Sequence, residues 1–437
     1  MGFWMCLALV IGNVVGSGVY MLPASLAPYG LNSIFGWLVT AGGAIALALV
    51  FSRLARFFPQ AGGPYVYARL AFGDGIGFIV AWGYWMAVWV GNAAIAIAAV
   101  AYLAELVPWI KHTVGAPMIV ACVLIWLLTY LNWRGVRQMG ALQIVTTILK
   151  LLPLLAIIAL ALTLLASGDT SVIRVEPQPF TLSAINASAA LTLWALLGLE
   201  SATVPAGKVD DPQRNIPRAT LWGTLIASVI YILTCSVVVL LIPSSQLADS
   251  SAPLADVMRM FWGDGIASTL ALFAFISSFG ALNGWILVQG EMPRVLAKEG
   301  VFPQLFARES RHGTPSASLF ITSSLVTILV LMNYSGSMVQ VFTFLILIST
   351  SAYLVMYLSC AVAALKLALN GSLGEQGRRL APFLAAAILA ALYSAWTLYG
   401  AGAEAFWWSF ALFAIGVPVY WIMKRGPAPT VASDVSP

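Results

Sequence analysis

The sequence predicts an all-α polytopic membrane protein with twelve transmembrane helices. Of its 437 residues 61% are hydrophobic and only 8% are charged, whereas soluble domains carry roughly 25% charged residues. A soluble core cannot absorb so many apolar side chains. Clusters of proline, glycine and charge divide the chain into twelve apolar segments, each near or above the roughly 20 residues that a spanning helix needs.

The twelve predicted spans follow one another along almost the whole chain. Their approximate ranges are 3–27, 31–53, 75–106, 116–132, 140–166, 187–206, 219–243, 264–293, 317–333, 339–368, 380–400 and 405–424. The fourth and ninth are short. The first segment does not read as a cleavable signal peptide, because it has no basic region and no small-residue cleavage motif before more helix.

The basic residues predict the direction of these spans. Of the 21 lysines and arginines, Lys111, Arg174 and Arg259 fall in outer loops and Lys150 falls within a span, which leaves 17 on the side that holds the N-terminus. Basic residues concentrate in cytoplasmic loops. Both termini are therefore predicted to be cytoplasmic, and the chain to lie in the inner membrane as a multi-pass protein.

Two apolar segments, 16–24 and 198–206, are interrupted in the same way. Each begins with a glycine and carries a Pro-Ala pair at the same distance from it. Glycine frees the backbone and proline removes an N–H donor, so both segments should unwind at membrane depth. Unwound backbone is tolerated there only where it lines a cavity or is buried in protein. Such a pair predicts the binding site of a secondary transporter.

A repeat accompanies the two breaks. A Gly-Asp-Gly-Ile turn precedes the third span at 73–76 and the eighth at 263–266. Two copies of five spans have opposite topology, because five is odd, and this is the inverted-repeat plan of secondary transporters. The predicted units are residues 1–170, residues 187–370, two extra spans at 378–425 and a cytoplasmic tail at 426–437.

The first break offers an anion site. The N–H groups of Ser17, Gly18 and Val19 open a half-helix, whose N-terminus carries partial positive charge and suits a carboxylate. A notch for helix packing is the alternative, because small residues let backbones approach. In the second break, Glu200 is a carboxylate within a span, which predicts substrate binding, pH sensing or gating, or else a structural hydrogen bond. Trp194 would cover the substrate, or face lipid or the core.

Three further spans present polar or aromatic residues toward the same region. The third span carries Tyr84, Ala87 and Ile95 at helical steps, with Asn92 beside them as an amide that needs a partner. In the eighth, the ring of Trp285 follows a glycine and suits an ammonium or guanidinium group. The tenth has a polar notch at 349–351, which lines the cavity or bonds back to its own helix.

Lys150 lies about ten residues into the fifth span, hence roughly 15 Å along it. An unpaired ammonium at that depth would lose its proton or bind carbonyl groups. The unwound carbonyls of the first span are natural partners, so Lys150 is predicted to replace a coupling cation. The alternative, in which the side chain reaches toward water, requires a long path.

The remaining reactive residue types point to no catalysis. The four cysteines lie in apolar runs, with no disulfide or metal spacing, and both histidines fall in connecting loops. No catalytic residue, metal ligand or cofactor is therefore predicted, and no nucleic acid is needed to explain the net charge of +5. A membrane-embedded enzyme would require an intramembrane histidine, a carboxylate pair or a large extramembrane domain.

Four blocks in order resemble the amino acid–polyamine–organocation superfamily of LeuT-type transporters, namely residues 12–23, 61–69, 198–202 and 211–217. Within it the chain is most similar to basic amino acid/polyamine antiporters, such as arginine/agmatine antiporters. This resemblance implies a LeuT-type five-plus-five fold in which the first and sixth spans are broken. It implies that the following residues bind substrate: Asn13, Val14, Gly16, Ser17, Gly18, Tyr84, Ala87, Asn92, Ile95, Trp194, Ala195, Leu197, Trp285 and Ser349.

Roles are also implied by this resemblance. Tyr84 and Glu200 would gate the path, together with Trp194 and Trp285, which cover and stack on the substrate. Ala195 departs from the family, which has a serine there, and Lys150 stands where these antiporters have a small apolar residue. A lysine at that point is similar to proton-coupled and neutral amino acid transporters of the superfamily.

The predicted function is exchange of a cationic amino acid for a related amine or amino acid by alternating access. The expected partners are an amino acid or polyamine, the lipid bilayer and coupled protons, and a homodimer is left open. One alternative is proton-coupled uptake or exchange of neutral amino acids, with Lys150 as the coupling residue. A second is an amino acid sensor that binds without transport.

Overall fold

A computed structural model describes residues 2–16, 18–59, 62–135, 139–168, 170–174, 176, 178–200, 209–311, 313–333, 336–373 and 380–425. Over these residues the chain forms seventeen α-helices and no β-strand. Their bounds are α1 Phe3–Val14, α2 Gly18–Leu26, α3 Asn32–Phe57, α4 Pro64–Phe72, α5 Asp74–Leu106, α6 Trp109–His112, α7 Ala116–Trp133, α8 Met139–Ser167, α9 Leu182–Ala195, α10 Pro212–Leu241, α11 Ser244–Asp249, α12 Pro253–Trp262, α13 Asp264–Lys298, α14 Ser316–Met332, α15 Met338–Leu369, α16 Leu380–Gly400 and α17 Gly402–Arg425.

Helices occupy all twelve predicted positions. Within the described ranges, ten segments are long and apolar enough to cross a membrane, one of which combines α1 and α2. The two other apolar helices, α9 and α14, have 14 and 17 residues. The sixth span was predicted at 187–206; α9 begins earlier, at Leu182, and residues 201–208 lie outside the described residues.

Four short helices were not predicted. They are α4, α6, α11 and α12, which connect the long helices. Each is much shorter than the roughly 20 apolar residues of a span. A search for apolar segments of that length therefore does not detect them. His112, predicted to lie in a loop, ends the four-residue α6.

The longest buried element is α5. Its 33 residues include 26 that are buried, so it is apolar on all sides and lies in the centre of the molecule. It packs against α13 on one side and α15 on the other, while α3 packs against α10 and α9. This arrangement surrounds the two predicted breaks with continuous helices.

Two corners of the chain have the same geometry at an offset of 190 residues. Gly73 (φ 87°) and Gly263 (φ 84°) are the N-caps of α5 and α13, in a conformation that favours glycine. In the first corner Arg69 Nε lies 2.7 Å from Asp74 Oδ1. In the second, Arg259 Nε lies 3.0 Å from the corresponding aspartate, Asp264. The predicted pair of turns thus includes a matched ion pair.

Candidate functional site

The first predicted break separates α1 from α2, but it is shorter than the predicted segment 16–24, because residues 18–24 are helical and belong to α2. Pro23 cannot donate to the Val19 carbonyl, and Cys235 Sγ on α10 contacts that carbonyl instead, over 4.0 Å.

Helix α1 ends at Val14, and Val15 leaves helical geometry at φ −75° and ψ 86°. The N–H of Gly16 then donates to the Val14 carbonyl over 2.9 Å, and α2 begins at Gly18. Ser17 lies outside the described residues. The C-terminus of α1, which carries the negative end of its helix dipole, therefore lies next to the N-terminus of α2, which carries the positive end of its own.

Carbonyl groups at the end of α1 receive side-chain donors. Lys150 Nζ on α8 donates to the Gly12 carbonyl over 2.9 Å, and the Tyr231 hydroxyl on α10 donates to that of Val14, also over 2.9 Å. Lys150 is only 1% exposed. A buried cation at a helix C-terminus is favourable because the dipole is negative there. Lys150 thus contacts the first span as expected, but through a carbonyl in the last turn of α1 and not through an unwound one.

The second break begins where α9 ends, at Ala195. Gly198 has φ 96°, in the region that disfavours other residues. A Cβ atom at this position would lie 3.3 Å from Cζ2 of Trp285 and 3.7 Å from the backbone carbon of Asn13. The two breaks therefore face each other, with Trp285 between them.

Glu200 is fully buried at this second break. The Tyr357 hydroxyl on α15 donates to Glu200 Oε2 over 2.7 Å, and Tyr84 on α5 also interacts with this carboxyl group. The Tyr84 ring lies 5.6 Å from that of Tyr353, which lies 5.9 Å from that of Tyr357. Glu200 is thus tied to the two helices that flank the breaks.

A small cavity lies between the two breaks, α5 and α13. It is lined by Asn13, Val14, Gly16, Gly18, Ala87, Val88, Gly91, Ile95, Trp194, Ala195, Leu197, Trp285 and Tyr353. Its volume is about 30 Å³, which is room for roughly two water molecules at 10–15 Å³ each. We call this space the central cavity. It is mostly apolar, and none of its lining residues is acidic.

Trp194 accounts for the small volume. A Cβ atom on Gly18 would lie 3.0 Å from Nε1 of this indole, and one on Gly91 would lie 2.8 Å from its Cη2. The ring therefore extends from the start of α2 to the middle of α5. Larger residues at either glycine would meet it directly.

Ten of the predicted substrate residues line the central cavity: Asn13, Val14, Gly16, Gly18, Ala87, Ile95, Trp194, Ala195, Leu197 and Trp285. Tyr84, Asn92 and Ser349 do not, and Ser17 is outside the described residues. Ser349 Oγ instead donates to the Ala87 carbonyl over 2.7 Å. It remains adjacent, 3.3 Å from where a Cβ of Gly91 would stand.

Asn92 has the partner that its burial requires. Its amide nitrogen donates to Gln289 Oε1 over 2.7 Å, and Gln289 Nε2 donates to Ser323 Oγ over 3.0 Å. The Ser323 hydroxyl shares a further hydrogen bond of 2.7 Å with Thr129. Asn92 Oδ1, however, is buried and accepts no hydrogen bond from the described residues.

Three lining residues were not among the predicted site residues: Val88, Gly91 and Tyr353. Tyr353 follows Ser349 by four residues on α15, so the two share a helix face. Gly91 follows Ala87 by four residues and shares its face of α5, but without a side chain it offers no chemistry. Spacing from the predicted residues was the available signal for both.

Comparison with known proteins shows a consistent relationship. The family model "Amino acid permease" matches residues 1–423. A candidate arginine/ornithine antiporter of Bacillus subtilis is 33% identical over 453 residues, with 96% of each chain covered. The putrescine transporter PotE of Haemophilus influenzae is 33% identical with 94% of each chain covered. The cadaverine/lysine antiporter of Escherichia coli is 34% identical, with 77% of this chain and 76% of that protein covered.

A solved structure shows a similar fold. The manganese transporter of Eremococcus coleocola, in complex with an aromatic bis-isothiourea compound, aligns with a TM-score of 0.59 and 15% identity. The alignment covers 97% of this chain and 94% of that one.

Proposed function

Because the chain belongs to the amino acid permease family, we propose that it is an inner-membrane antiporter that exchanges a cationic amino acid for a related amine or amino acid. The names of its relatives support this substrate class, since they join arginine with ornithine and cadaverine with lysine, and include putrescine. These relatives are transporters by name, which supports a non-enzymatic role.

The proposed architecture is the LeuT-type arrangement of two inverted repeats of five spans, followed by two extra spans. The matched corners at Gly73 and Gly263 and the facing breaks support it. With α9 and α14 counted as spans, the ten longer segments become twelve. The distribution of arginines and lysines then supports cytoplasmic termini.

Substrate binding is proposed at the central cavity. The start of α2 supplies backbone N–H groups that suit the α-carboxylate. Trp194 and Trp285 offer ring faces to a cationic side chain, an interaction of about 2 kcal/mol when water is excluded. Asn92 lies next to the lining residue Gly91 but not in the lining itself, and its carbonyl oxygen, which has no partner among the described residues, would serve an ammonium or guanidinium donor if the cavity widened toward it.

The small volume of the central cavity is the observation that supports an alternating-access mechanism. This volume is about 30 Å³, far below the 300–1,000 Å³ of ordinary ligand sites. An amino acid enters only if Trp194, Trp285 or a half-helix moves. In the proposed mechanism, substrate access therefore requires the central cavity to open toward one side of the membrane at a time.

Exchange is tested by uptake of labelled arginine, ornithine, putrescine and leucine into proteoliposomes. Each is measured with and without internal amino acid, and with and without a proton gradient. We expect arginine or ornithine uptake that depends on internal substrate. Leucine uptake into empty vesicles that is driven by a proton gradient would contradict the exchanger.

Two glycine-to-alanine variants test whether the transported substrate binds in the central cavity. Gly91→Ala places a methyl group 2.8 Å from the Trp194 ring, whereas Gly42→Ala meets no atom within 4 Å. We expect Gly91→Ala to weaken arginine uptake about fivefold or more, since overpacking costs about 1–3 kcal/mol. Gly42→Ala should transport like the wild type, and equal activity of both variants would place the substrate elsewhere.

The second candidate is proton-coupled uptake or exchange of neutral amino acids. Lys150 favours it, because a fixed positive charge close to the first break disfavours a dicationic substrate. Proton coupling and assembly into a homodimer stay predictions. An amino acid sensor is distinguished from both by the absence of flux in the same vesicles.

A further inference from the structure

A second, larger cavity lies at one end of the molecule. It has a volume of about 790 Å³ and runs between the end of α3 and the starts of α10 and α16. Four arginines and one aspartate line it: Arg53, Arg56, Arg214, Arg218 and Asp211. We call it the arginine groove. Four positive charges against one negative charge leave a net charge of +3.

Three of these arginines make no ion pair within the described part of the chain, although Asp211 lines the same groove. Among the described residues, Arg56, Arg214 and Arg218 form no ion pair. Arg214 and Arg218 are four residues apart on α10, a spacing at which like charges repel. Arg214 also lies in the first turn of α10, where the partial positive charge of the helix disfavours a cation. A bound anion would relieve both penalties.

Contacts across the groove hold its walls in place. The Arg53 guanidinium carbon lies 5.6 Å from the Phe57 ring centre and 5.8 Å from that of Phe383 on α16. Ser52 Oγ on α3 donates to the Pro217 carbonyl on α10 over 3.3 Å. All three helices are thus tied together where the arginines converge, which makes the groove a formed site and not a set of independent surface charges.

Apart from Ser52 and Gln213, the remaining lining of the groove is apolar. Leu49 lies one turn before Arg53 on α3, and Leu221 lies one turn after Arg218 on α10, so both are further from the helix ends at the groove than the arginines. Leu49 is 40% exposed. The groove therefore changes from cationic at the helix ends to apolar toward the membrane interior. A soluble anion would contact only the cationic part of the groove, whereas a phospholipid would contact the cationic part with its headgroup and the apolar part with its acyl chains.

We propose that the arginine groove binds the phosphate headgroup of an anionic phospholipid, whose acyl chains continue along Leu49 and Leu221. Arginine suits this role because its planar fork binds two phosphate oxygens at once. The positive-inside distribution assigns the groove to the cytoplasmic leaflet, where anionic lipids attract basic sites between spans. The site is separate from the central cavity.

The test compares lipid binding to three purified proteins in detergent: wild type, Arg214→Gln/Arg218→Gln, and a control, Arg308→Gln/Lys424→Gln. The control also removes two positive charges from the predicted cytoplasmic side of the protein, at exposed positions outside the groove. Dioleoylphosphatidylglycerol and dioleoylphosphatidylcholine are titrated, and bound lipid is counted by native mass spectrometry. Unfolding temperatures in phosphatidylcholine alone verify that each variant is folded.

We expect wild type and control to prefer phosphatidylglycerol, and the groove variant to bind it about 30-fold more weakly. That factor corresponds to about 2 kcal/mol, or about 1 kcal/mol for each arginine. Raised ionic strength should weaken the wild-type binding, because exposed charges are screened. Equal binding by the groove variant and the wild type would overturn the proposal.

A soluble anion is separated from a lipid by the same assay. Inorganic phosphate at millimolar concentration should neither displace phosphatidylglycerol nor raise the wild-type unfolding temperature. Displacement by phosphate would mean that the groove takes a soluble anion and would overturn the lipid assignment. If the double variant does not fold, Arg56→Gln is compared with Arg308→Gln, with an expected loss of about fivefold.

Discussion

The two breaks differ in where their buried ionisable group comes from. At the first, the group belongs to a neighbouring helix: Lys150 of α8 donates to the Gly12 carbonyl of α1. At the second, it belongs to the broken segment itself: Glu200 accepts a hydrogen bond from Tyr357 of α15. If α1 moved, it would separate from Lys150, which stays on α8. If the second break moved, Glu200 would move with it.

This difference has energetic consequences. Separating Lys150 from its carbonyl partner leaves a buried ammonium uncompensated, at a cost of several kcal/mol. Separating Glu200 from a tyrosine costs less if the carboxyl group is neutral, since one hydrogen bond contributes about 1 kcal/mol. We therefore expect the first break to be held in place more firmly. The second break is the easier one to move.

The largest effect is expected from Lys150→Met, which removes the charge and keeps the volume. Loss of the ammonium leaves the Gly12 carbonyl without this donor at the end of α1, so the geometry of the first break relaxes. We predict at least a 100-fold loss of exchange in proteoliposomes, together with weaker substrate binding.

Lys298→Met is the matched control, because Lys298 is half exposed and pairs with Glu309 outside the cavity. It should keep wild-type exchange. Lys150→Arg, which retains a charge but not the shape, should recover part of the activity. Exchange by Lys150→Met at the wild-type rate would contradict any role of this residue at the break.

A smaller effect is expected from Glu200→Gln and Tyr357→Phe. If Glu200 changes protonation during the cycle, Glu200→Gln flattens the dependence of exchange on external pH between 5 and 8. Tyr357→Phe removes one hydrogen bond to the same carboxyl group, so we expect it to shift the pH profile while keeping its shape. Exchange rates across this pH range distinguish the two.

Tyr393→Phe serves as the control, since this buried tyrosine of α16 packs against Gly43 of α3. It should have the wild-type profile. A Glu200→Gln variant with an unchanged pH profile would assign the carboxyl group a structural role only.

The positions of the long helices were predictable from the lengths of the apolar segments. A segment that spans the membrane must satisfy its own backbone hydrogen bonds, so a long apolar segment predicts a helix. The breaks near Gly16 and Gly198 were predictable because a glycine and a following proline interrupt an apolar segment at both places. The direction of side chains was not. Asn92 sits beside Gly91, yet its amide turns to Gln289, 197 residues further along the chain, a pairing that only the packing of α5 against α13 creates.

The smallest predicted effect compares the two matched corners. Arg69 contributes an exposed ion pair with Asp74, in which the side chains are 52% and 73% exposed. Such pairs contribute about 1 kcal/mol or less. Arg259 contacts Asp264 as well, but it also binds Asp256 and lies 2.8 Å from Glu105, whose side chain is 8% exposed.

Arg259→Gln should therefore lower the unfolding temperature in detergent more than Arg69→Gln does. It removes one of the two cations that neutralise Glu105, and Lys111 remains as the other, 2.9 Å away. A partly compensated carboxylate of this kind costs roughly 2 kcal/mol, less than the 3–5 kcal/mol of a fully broken buried pair. The double variant Glu105→Gln/Arg259→Gln should recover part of the loss. If both arginine variants unfold at the same temperature, the matched geometry of the corners, and not the burial of Glu105, determines how much each contributes.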